Sequence, residues 1–339
     1  MKKLFLIAVL LTLAATEARA QAAGAFSRMG FGARGVAMSN ALVADASGYA
    51  SPYYNPALAP FIPRQSLDAS AALMTLDREL QFLEFATPLR PRAGIAVGLI
   101  HAAVSDIDGR DGSGYHTGTF STDEYALFIA FGVRVARRVT IGFGFQFFHA
   151  DYFEGLDPVN SIGLDVGLHV EVTEAFRLGV ALDDALARYS WDTSSLLGSS
   201  GRTTSDRFPT RLRLGGAYYL LGRQLLITAE YESRFTSSEV RTREVRLIGD
   251  TPREVFESER LTLHESRLRF GVEYQPMAAF AVRGGLDRLA ASDAGGVRPS
   301  TGFMIEQTLG SLVARAEYAF VLEPYALGTM HLVTLRFFL

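Results

Sequence analysis

Histidine and carboxylate residues are the side chains of this sequence that could support catalysis or metal binding. The six histidines stand at positions 101, 116, 149, 169, 264 and 331, no two of them four residues apart, and the chain has no cysteine. A zinc site normally draws several such ligands from short spacings, so none is expected. His149, close to Asp151, is the pair most suggestive of a Ser-His-acid hydrolase. It stands where a strand is predicted to become a loop, which favours an ordinary polar residue.

The stretch "DIDGRDGSG", Asp106 to Gly114, resembles a calcium-binding loop. Such a loop needs a carboxylate or similar oxygen ligand at its fifth position, and Arg110 stands there. A polar, glycine-rich connection fits the stretch better. We therefore predict no enzyme activity, no metal and no cofactor.

Charged residues recur instead at alternate positions of otherwise apolar segments. Successive side chains of a strand point to opposite faces, so these segments read as strands with one apolar and one polar face. Opposite charges are expected on neighbouring strands, which favours internal salt bridges; a role in guiding a substrate is the alternative. The residues predicted to face a common interior are Arg211, Arg213, Glu230, Glu232, Arg267, Arg269, Glu273, Arg315 and Glu317.

The lengths and ends of these segments favour an all-β, 14-stranded antiparallel transmembrane β-barrel over a soluble sandwich. Most segments have nine to twelve residues, which is the length that a tilted strand needs to cross a bilayer. Aromatic residues often end the apolar faces, as at a membrane interface. The predicted strands cover residues 66–76, 80–88, 93–104, 122–135, 139–150, 160–172, 176–183, 209–220, 224–234, 263–275, 280–287, 300–308, 311–321 and 328–339.

The connections between the predicted strands alternate between short and long. Residues 90–92, 136–138, 173–175, 222–223, 276–278 and 309–310 form short turns, which belong on the periplasmic side. Residues 105–121, 151–159, 184–208, 235–262 and 288–299 form long outer loops. This alternation predicts that both termini are periplasmic. The alternation within 235–262 predicts that its two flanking strands continue outwards as a hairpin.

The first twenty residues form a secretory signal with a basic start, an apolar run and a small-residue cleavage site. We therefore divide the chain into a signal peptide (1–20), an N-terminal plug or hatch (21–64) and an outer-membrane barrel (65–339). The net charge of −3 gives no basic face for a nucleic acid. The predicted location is the bacterial outer membrane, with its lipid as one partner.

Two further regions carry expectations about partners. The last strand, with Val333, Leu335, Phe337 and Leu339 on one face, resembles the signal read by the outer-membrane barrel assembly machinery. The loop 184–208 holds the single tryptophan. Trp191, Leu196 and Leu197 are predicted to contact a hydrophobic ligand or a protein partner there.

The segment before the first strand contains "ARGVAMSNALVADASGYASPYYNPALA". It is too apolar for a disordered tail, and its prolines stiffen it. The stretch resembles the N-terminal signature of the long-chain fatty-acid transporter (FadL-type) superfamily, especially the PorV/PorQ branch. The resemblance departs at Ser39 and Asn40, where a second glycine is frequent. The residues predicted to form the plug motif are Arg34, Gly35, Asp45, Ser47, Tyr54, Asn55 and Pro56.

The resemblance implies a fourteen-stranded barrel whose lumen holds an N-terminal hatch, together with one of two functions. The first is passive uptake of small hydrophobic compounds across the outer membrane. The second is a component of a type IX-like secretion or surface-attachment system that binds secreted protein clients through its outer loops. A purely structural barrel is a third alternative that the residues leave open.

Overall fold

A computed structural model describes residues 23–153, 155–248, 251–291, 296–322 and 328–339. The side chains of Leu197 and of residues 238–261 are outside this description. The predicted signal peptide lies outside the described residues as well. Among the described residues, no helix is both long and apolar enough to cross a membrane.

Fourteen antiparallel strands form a closed barrel in which the first strand pairs with the last. The prediction of a closed 14-stranded barrel is thus confirmed, and an open sheet or sandwich is excluded. Closure pairs the backbone N–H and C=O groups at both edges of every strand, which an all-β wall in lipid requires. The barrel strands are β1 (Ser66–Leu73), β2 (Arg78–Leu89), β3 (Ala93–Arg110), β4 (His116–Ala136), β5 (Val139–Asp151), β6 (Val159–Glu171), β7 (Phe176–Ala185), β10 (Thr210–Leu220), β11 (Leu225–Ile248), β12 (Thr251–Met277), β13 (Phe280–Leu289), β14 (Arg298–Leu309), β15 (Leu312–Leu322) and β16 (Thr329–Phe338).

Some predicted loops contain more regular structure than expected. The interval 184–208 holds a two-stranded sheet of β8 (Arg188–Asp192) and β9 (Thr203–Arg207), joined through the short helix α2 (Ser194–Leu197). Most of the interval 105–121 is strand, because β3 and β4 continue past a bulge between Val104 and Ile107. Short polar strands of this kind lack the long apolar face on which the prediction relied. The strands β11 and β12 do continue together as a hairpin, in register from Leu225 to Ile248.

The exterior of the barrel carries the apolar face of the strands. On β5, for example, Phe143, Phe145 and Phe147 are 49%, 48% and 42% exposed, while the residues between them are buried. The same alternation leaves Val333, Leu335 and Leu339 exposed at the end of the chain. Whether these residues and Phe337 form an assembly signal stays a prediction.

Residues 23–62 lie inside the barrel and exposed residues 63–65 lead to β1; we call residues 23–65 the N-terminal segment. It contains one α-helix, α1 (Gly32–Ala37), and two 3-10 helices, Ala25–Arg28 and Pro56–Phe61. The segment leads into β1 at the short-turn end, where the backbone N–H of Leu339 donates to the carbonyl of Gln65. Its first described residues lie at the other end, since Gly24 is against Phe208 after β9. That both termini are periplasmic stays a prediction.

Candidate functional site

Between the inward-facing Glu124 and Arg134 of β4, the inner wall of the barrel has an uncharged sector, formed by β3, β4 and β5. The inward-facing positions are the even-numbered residues of 94–102 in β3, 126–132 in β4 and 140–150 in β5. They hold only Gly, Ala, Ile, Phe, Thr and Gln. We call this the apolar sector. Small residues predominate at the short-turn end, and Ile100, Phe128 and Phe148 are nearer the long loops. An apolar solute moving along this sector would not have to displace water from a charged group.

The wall from β7 round to β1 is a sector of paired charges. All nine residues predicted to form the interior network face inwards and are buried. Buried charges are tolerated only when paired and hydrogen-bonded, and removing one partner is costly. The observed pairs include Arg211–Asp184 (3.0 Å), Arg213–Asp183 (2.6 Å), Arg267–Glu232 (2.9 Å), Arg269–Glu230 (2.8 Å), Arg283–Glu273 (2.6 Å), Arg283–Glu317 (2.7 Å), Arg315–Glu306 (2.6 Å) and Arg336–Asp68 (2.5 Å).

Several acidic members of this network were not predicted from the sequence. Asp183 continues the inward parity of β7, and Asp68 stands between two inward serines of β1. The alternation of inward and outward positions along β7 and β1 could therefore have predicted both residues. Asp184 is different, because a bulge of β6 and β7 between Leu164 and Val166 brings it inwards beside Asp183. A bulge changes the parity of a strand, so alternation alone could not find this residue.

Glycines in the wall mark where the N-terminal segment approaches most closely. A methyl group on Gly132 would stand 2.6 Å from the carbonyl oxygen of Pro56. A methyl group on Gly285 would stand 2.6 Å from Ser39 Oγ. The segment thus lies directly against the backbone of the wall, which only glycine permits. Other inward glycines with such close neighbours in the segment are Gly94, Gly142, Gly167, Gly179, Gly215, Gly271 and Gly302.

The predicted motif residues form two linked clusters in the segment. In the first, Arg34 binds Glu273 of β12 through two hydrogen bonds of 2.9 and 2.8 Å and also pairs with Asp45. Asp45 in turn accepts from the backbone N–H of Ser47 (2.9 Å) and from the hydroxyl of Tyr219 (2.8 Å). The bidentate Arg34–Glu273 pair fixes both the distance and the orientation of α1 relative to β12. It therefore joins α1 to the charged sector.

The second cluster surrounds Tyr54 and Asn55. The Tyr54 hydroxyl lies against Gly35 and donates to Asn40 Oδ1 (2.8 Å). The Asn55 side chain accepts from Ala57 N (3.0 Å), which caps the 3-10 helix that starts at Pro56. Its amide nitrogen also donates to wall carbonyls, including that of Leu168 (3.2 Å). The helix Pro56–Phe61 itself lies on the apolar sector, against Gly94, Gly132 and Gly142.

An aromatic cluster closes the lumen near the long loops. The Phe148 ring of β5 is 4.6 Å from that of Phe208, which is 4.9 Å from Tyr189 of β8. Trp191 is 5.6 Å from Tyr189. The β8–β9 sheet thus lies over the lumen, and we call this group with Tyr152 the outer aromatic cluster.

Of the residues predicted to contact a ligand or partner in this loop, Trp191 and Leu196 have different surroundings, and their predicted role stays a prediction. Trp191 packs against the buried cluster, whereas Leu196 is 45% exposed and contacts the neighbouring loop at Gly155. The side chain of Leu197 lies outside the described residues. Small cavities lie beside the N-terminal segment, and two of them measure about 10 Å³ each, roughly the room of one water molecule.

The side chains considered for catalysis or metal binding are dispersed. His149 lies on the exterior with its Nδ1 2.9 Å from Asn160 Oδ1. Arg110 pairs with Asp108 at the tip of the β3–β4 hairpin. In the described part of the chain, no three His, Cys, Asp or Glu side chains are placed to hold a metal ion.

No protein-family model and no curated protein sequence matches the chain. Solved structures do share its fold. The monoaromatic hydrocarbon channel CymD aligns with a TM-score of 0.58 at 12% identity, over 91% of this chain and 97% of that chain. The toluene transporter TodX of Pseudomonas putida aligns with a TM-score of 0.56 at 12% identity, over 91% and 96%. A FadL homologue of Pseudomonas aeruginosa gives 0.56 at 12% identity, over 91% and 98%.

These alignments extend over nearly the full length of each chain, so they concern the whole barrel and not one hairpin. Identity of 12% carries no residue-level inference about substrates. The chain therefore has the fold of the FadL-type outer-membrane channels.

Proposed function

We propose that the protein is an outer-membrane channel for passive passage of small hydrophobic compounds, with residues 23–65 as its plug. The observation that carries this proposal is the apolar sector, which runs along the wall beside the charged sector. Structures of the same fold include channels described as transporting toluene and monoaromatic hydrocarbons. Solutes of that class need a dry, uncharged surface, which β3 to β5 provide.

Passage along this sector requires the plug to leave its seat, because the helix Pro56–Phe61 covers the glycines of β3 to β5. The plug is held by polar contacts at α1 and by close packing, and cavities beside it are as small as about 10 Å³. The closed arrangement is thus a resting state. The route opens when the plug shifts.

A disulfide lock tests this proposal. The Ser39 and Ser300 hydroxyls are 2.9 Å apart, one in the plug and one in β14. The chain has no other cysteine, so Ser39→Cys with Ser300→Cys joins plug and wall. A matched control is Val97→Cys with Ile129→Cys, which stand opposite each other on the wall strands β3 and β4 and face the exterior.

The readout is uptake of radiolabelled toluene by Gram-negative cells that express each variant. We expect the oxidised plug lock to abolish the uptake due to this protein and a reductant to restore it. The wall lock should leave uptake unchanged. Equal uptake by cells with and without the protein would refute the channel function. Equal uptake by the oxidised and reduced plug lock would refute gating by the plug.

A second candidate function is favoured by the β11–β12 hairpin. Its paired residues 236–248 and 251–263 continue past Thr210, the first residue of β10. Thirteen residues of strand span about 40 Å. A two-stranded ribbon of this length is only marginally stable alone and has open edges that can pair with another chain. We infer that it could dock a secreted protein client, as in a type IX-like system.

Replacing residues 238–261 by a short turn tests this candidate. The deletion should release surface-attached proteins from the cells and leave toluene uptake intact. An unchanged surface-protein composition would count against a secretion role.

A further inference from the structure

The hydroxyl of Tyr189 is a buried polar group that the described residues do not satisfy. Tyr189 is 0% exposed, and its oxygen has no hydrogen-bond partner among the described residues. A buried hydroxyl without a partner costs free energy, so such a group in a native protein calls for an explanation. Burial also raises the pKa of Tyr189, so the group stays protonated at physiological pH.

The surroundings of this hydroxyl are those of a ligand site. Its ring packs edge-on against Phe208 (4.9 Å) and Trp191 (5.6 Å), and Tyr152 lies 6.3 Å away. The hydroxyl of Tyr152 donates to Glu124 Oε1 at 2.5 Å. One of the two neighbouring tyrosines is therefore satisfied within the protein, and the other is left available. Aromatic walls with a few placed polar groups, here Glu124 and the Tyr189 hydroxyl, are typical of pockets for small ligands.

The space beside Tyr189 is taken by the start of the N-terminal segment. Gly24 lies against the Phe208 ring, and Ala23 and Phe26 are buried in the same apolar cluster. None of the described residues gives the Tyr189 hydroxyl a partner. Ala23, Gly24 and Phe26 belong to the first described residues of the plug, on the long-loop side, so a ligand can replace them without disturbing the seat of the helix Pro56–Phe61.

We propose that the outer aromatic cluster binds hydrophobic compounds that carry one oxygen, such as alcohols and phenols, through the Tyr189 hydroxyl. This inference rests on the proposed channel function and names a substrate class for it. A hydroxyl both donates and accepts, so it serves an alcohol as well as an ether oxygen. A site with a committed polar group discriminates against a ligand of the same shape that lacks the partner.

The single tryptophan provides the test, because Trp191 borders the site. Cyclohexanol and methylcyclohexane have the same size and shape, differ by a hydroxyl and a methyl group, and do not absorb where tryptophan does. Both are titrated into purified full-length protein in amphipol, with Trp191 emission as the readout. We expect cyclohexanol to bind the wild type more tightly. Tyr189→Phe should lower the affinity for cyclohexanol about tenfold and leave the affinity for methylcyclohexane unchanged.

Tyr125→Phe is the matched control, since Tyr125 lies on the barrel exterior stacked on His101. It should change neither affinity. Thermal unfolding without ligand is a second readout: Tyr189→Phe should be at least as stable as the wild type, because it removes an unsatisfied group. A clear loss of stability would show that the hydroxyl has a partner within the protein and would overturn the inference.

Two binding outcomes also overturn the inference. The first is equal weakening of both ligands by Tyr189→Phe, and the second is binding of neither ligand to the wild type. Toluene uptake by cells separates these failures from failure of the channel. Intact uptake with an unchanged cyclohexanol affinity in Tyr189→Phe would leave the channel function standing and remove the oxygen-recognising site.

Discussion

Replacing Gly132 by alanine is a direct test of how the N-terminal segment is held against the wall. Gly132 lies in β4, and a methyl group there would stand 2.6 Å from the Pro56 carbonyl oxygen and 2.7 Å from Pro60 Cδ. Ordinary contact begins at 3.4 Å. The helix Pro56–Phe61 must therefore retreat by about 0.8 Å, or the barrel wall must deform by the same amount.

Overpacking of this kind costs about 1–3 kcal/mol. Replacing glycine by alanine also stabilises a protein by about 0.4–1 kcal/mol through the unfolded chain. The net destabilisation expected for the seated helix is thus about 1–2 kcal/mol. Because the strain falls on the contact between this helix and the wall, the helix should detach from the wall about 5 to 30 times more often.

The assay is the rate at which a thiol reagent labels a cysteine placed in that helix. Leu58 is 2% exposed and lies between the two contacted prolines, so Leu58→Cys reports opening. The control is Gly284→Ala in the same background, where the added methyl would meet nothing closer than 3.9 Å.

Labelling of the Gly132→Ala protein should be about 5 to 30 times faster than that of the Gly284→Ala protein. Equal labelling rates in the two proteins would mean that the wall or the helix yields freely. The glycines would then not define the seat of the segment, and the reasoning from close approach would be refuted.

Three further predictions address the charges, the exterior and the loop. Arg34→Leu leaves Glu273 with one partner fewer and should destabilise the seated segment by about 3 kcal/mol, seen as faster proteolysis of the N-terminal region. Phe145→Arg places a charge in the middle of the exposed apolar band and should cost about 2–4 kcal/mol in urea unfolding from lipid vesicles; no loss would argue against a lipid-facing exterior. Hydrogen bonds from the first residue of α2, mainly from its hydroxyl, lower the pKa of Asp192. Their contribution is present at neutral pH and is lost as the pH falls through that lowered value, below about 3.9. Trp191 emission should therefore change in this acid range, and Asp192→Asn should abolish the change.

The charged interior and the structure of the outer loops could be predicted from the sequence only in part. The inward position of the nine network residues followed from their parity on the strands. Asp184 did not, because the bulge that places it inwards depends on how β6 and β7 pair. The β8–β9 sheet was also missed, since five-residue polar strands have too little alternation to be recognised.

The amino-acid sequence by itself determined the closed fourteen-stranded wall and the face that each strand turns outwards. The physical reason is local: a strand that crosses a bilayer must alternate along its whole length, and pairing leaves no edge open. Only the tertiary structure decided which charges meet, that β3 to β5 form an uncharged sector, and that the Tyr189 hydroxyl has no partner among the described residues. These features arise from groups far apart in the chain that barrel closure, bulges and the insertion of residues 23–65 bring together, and no local pattern records them.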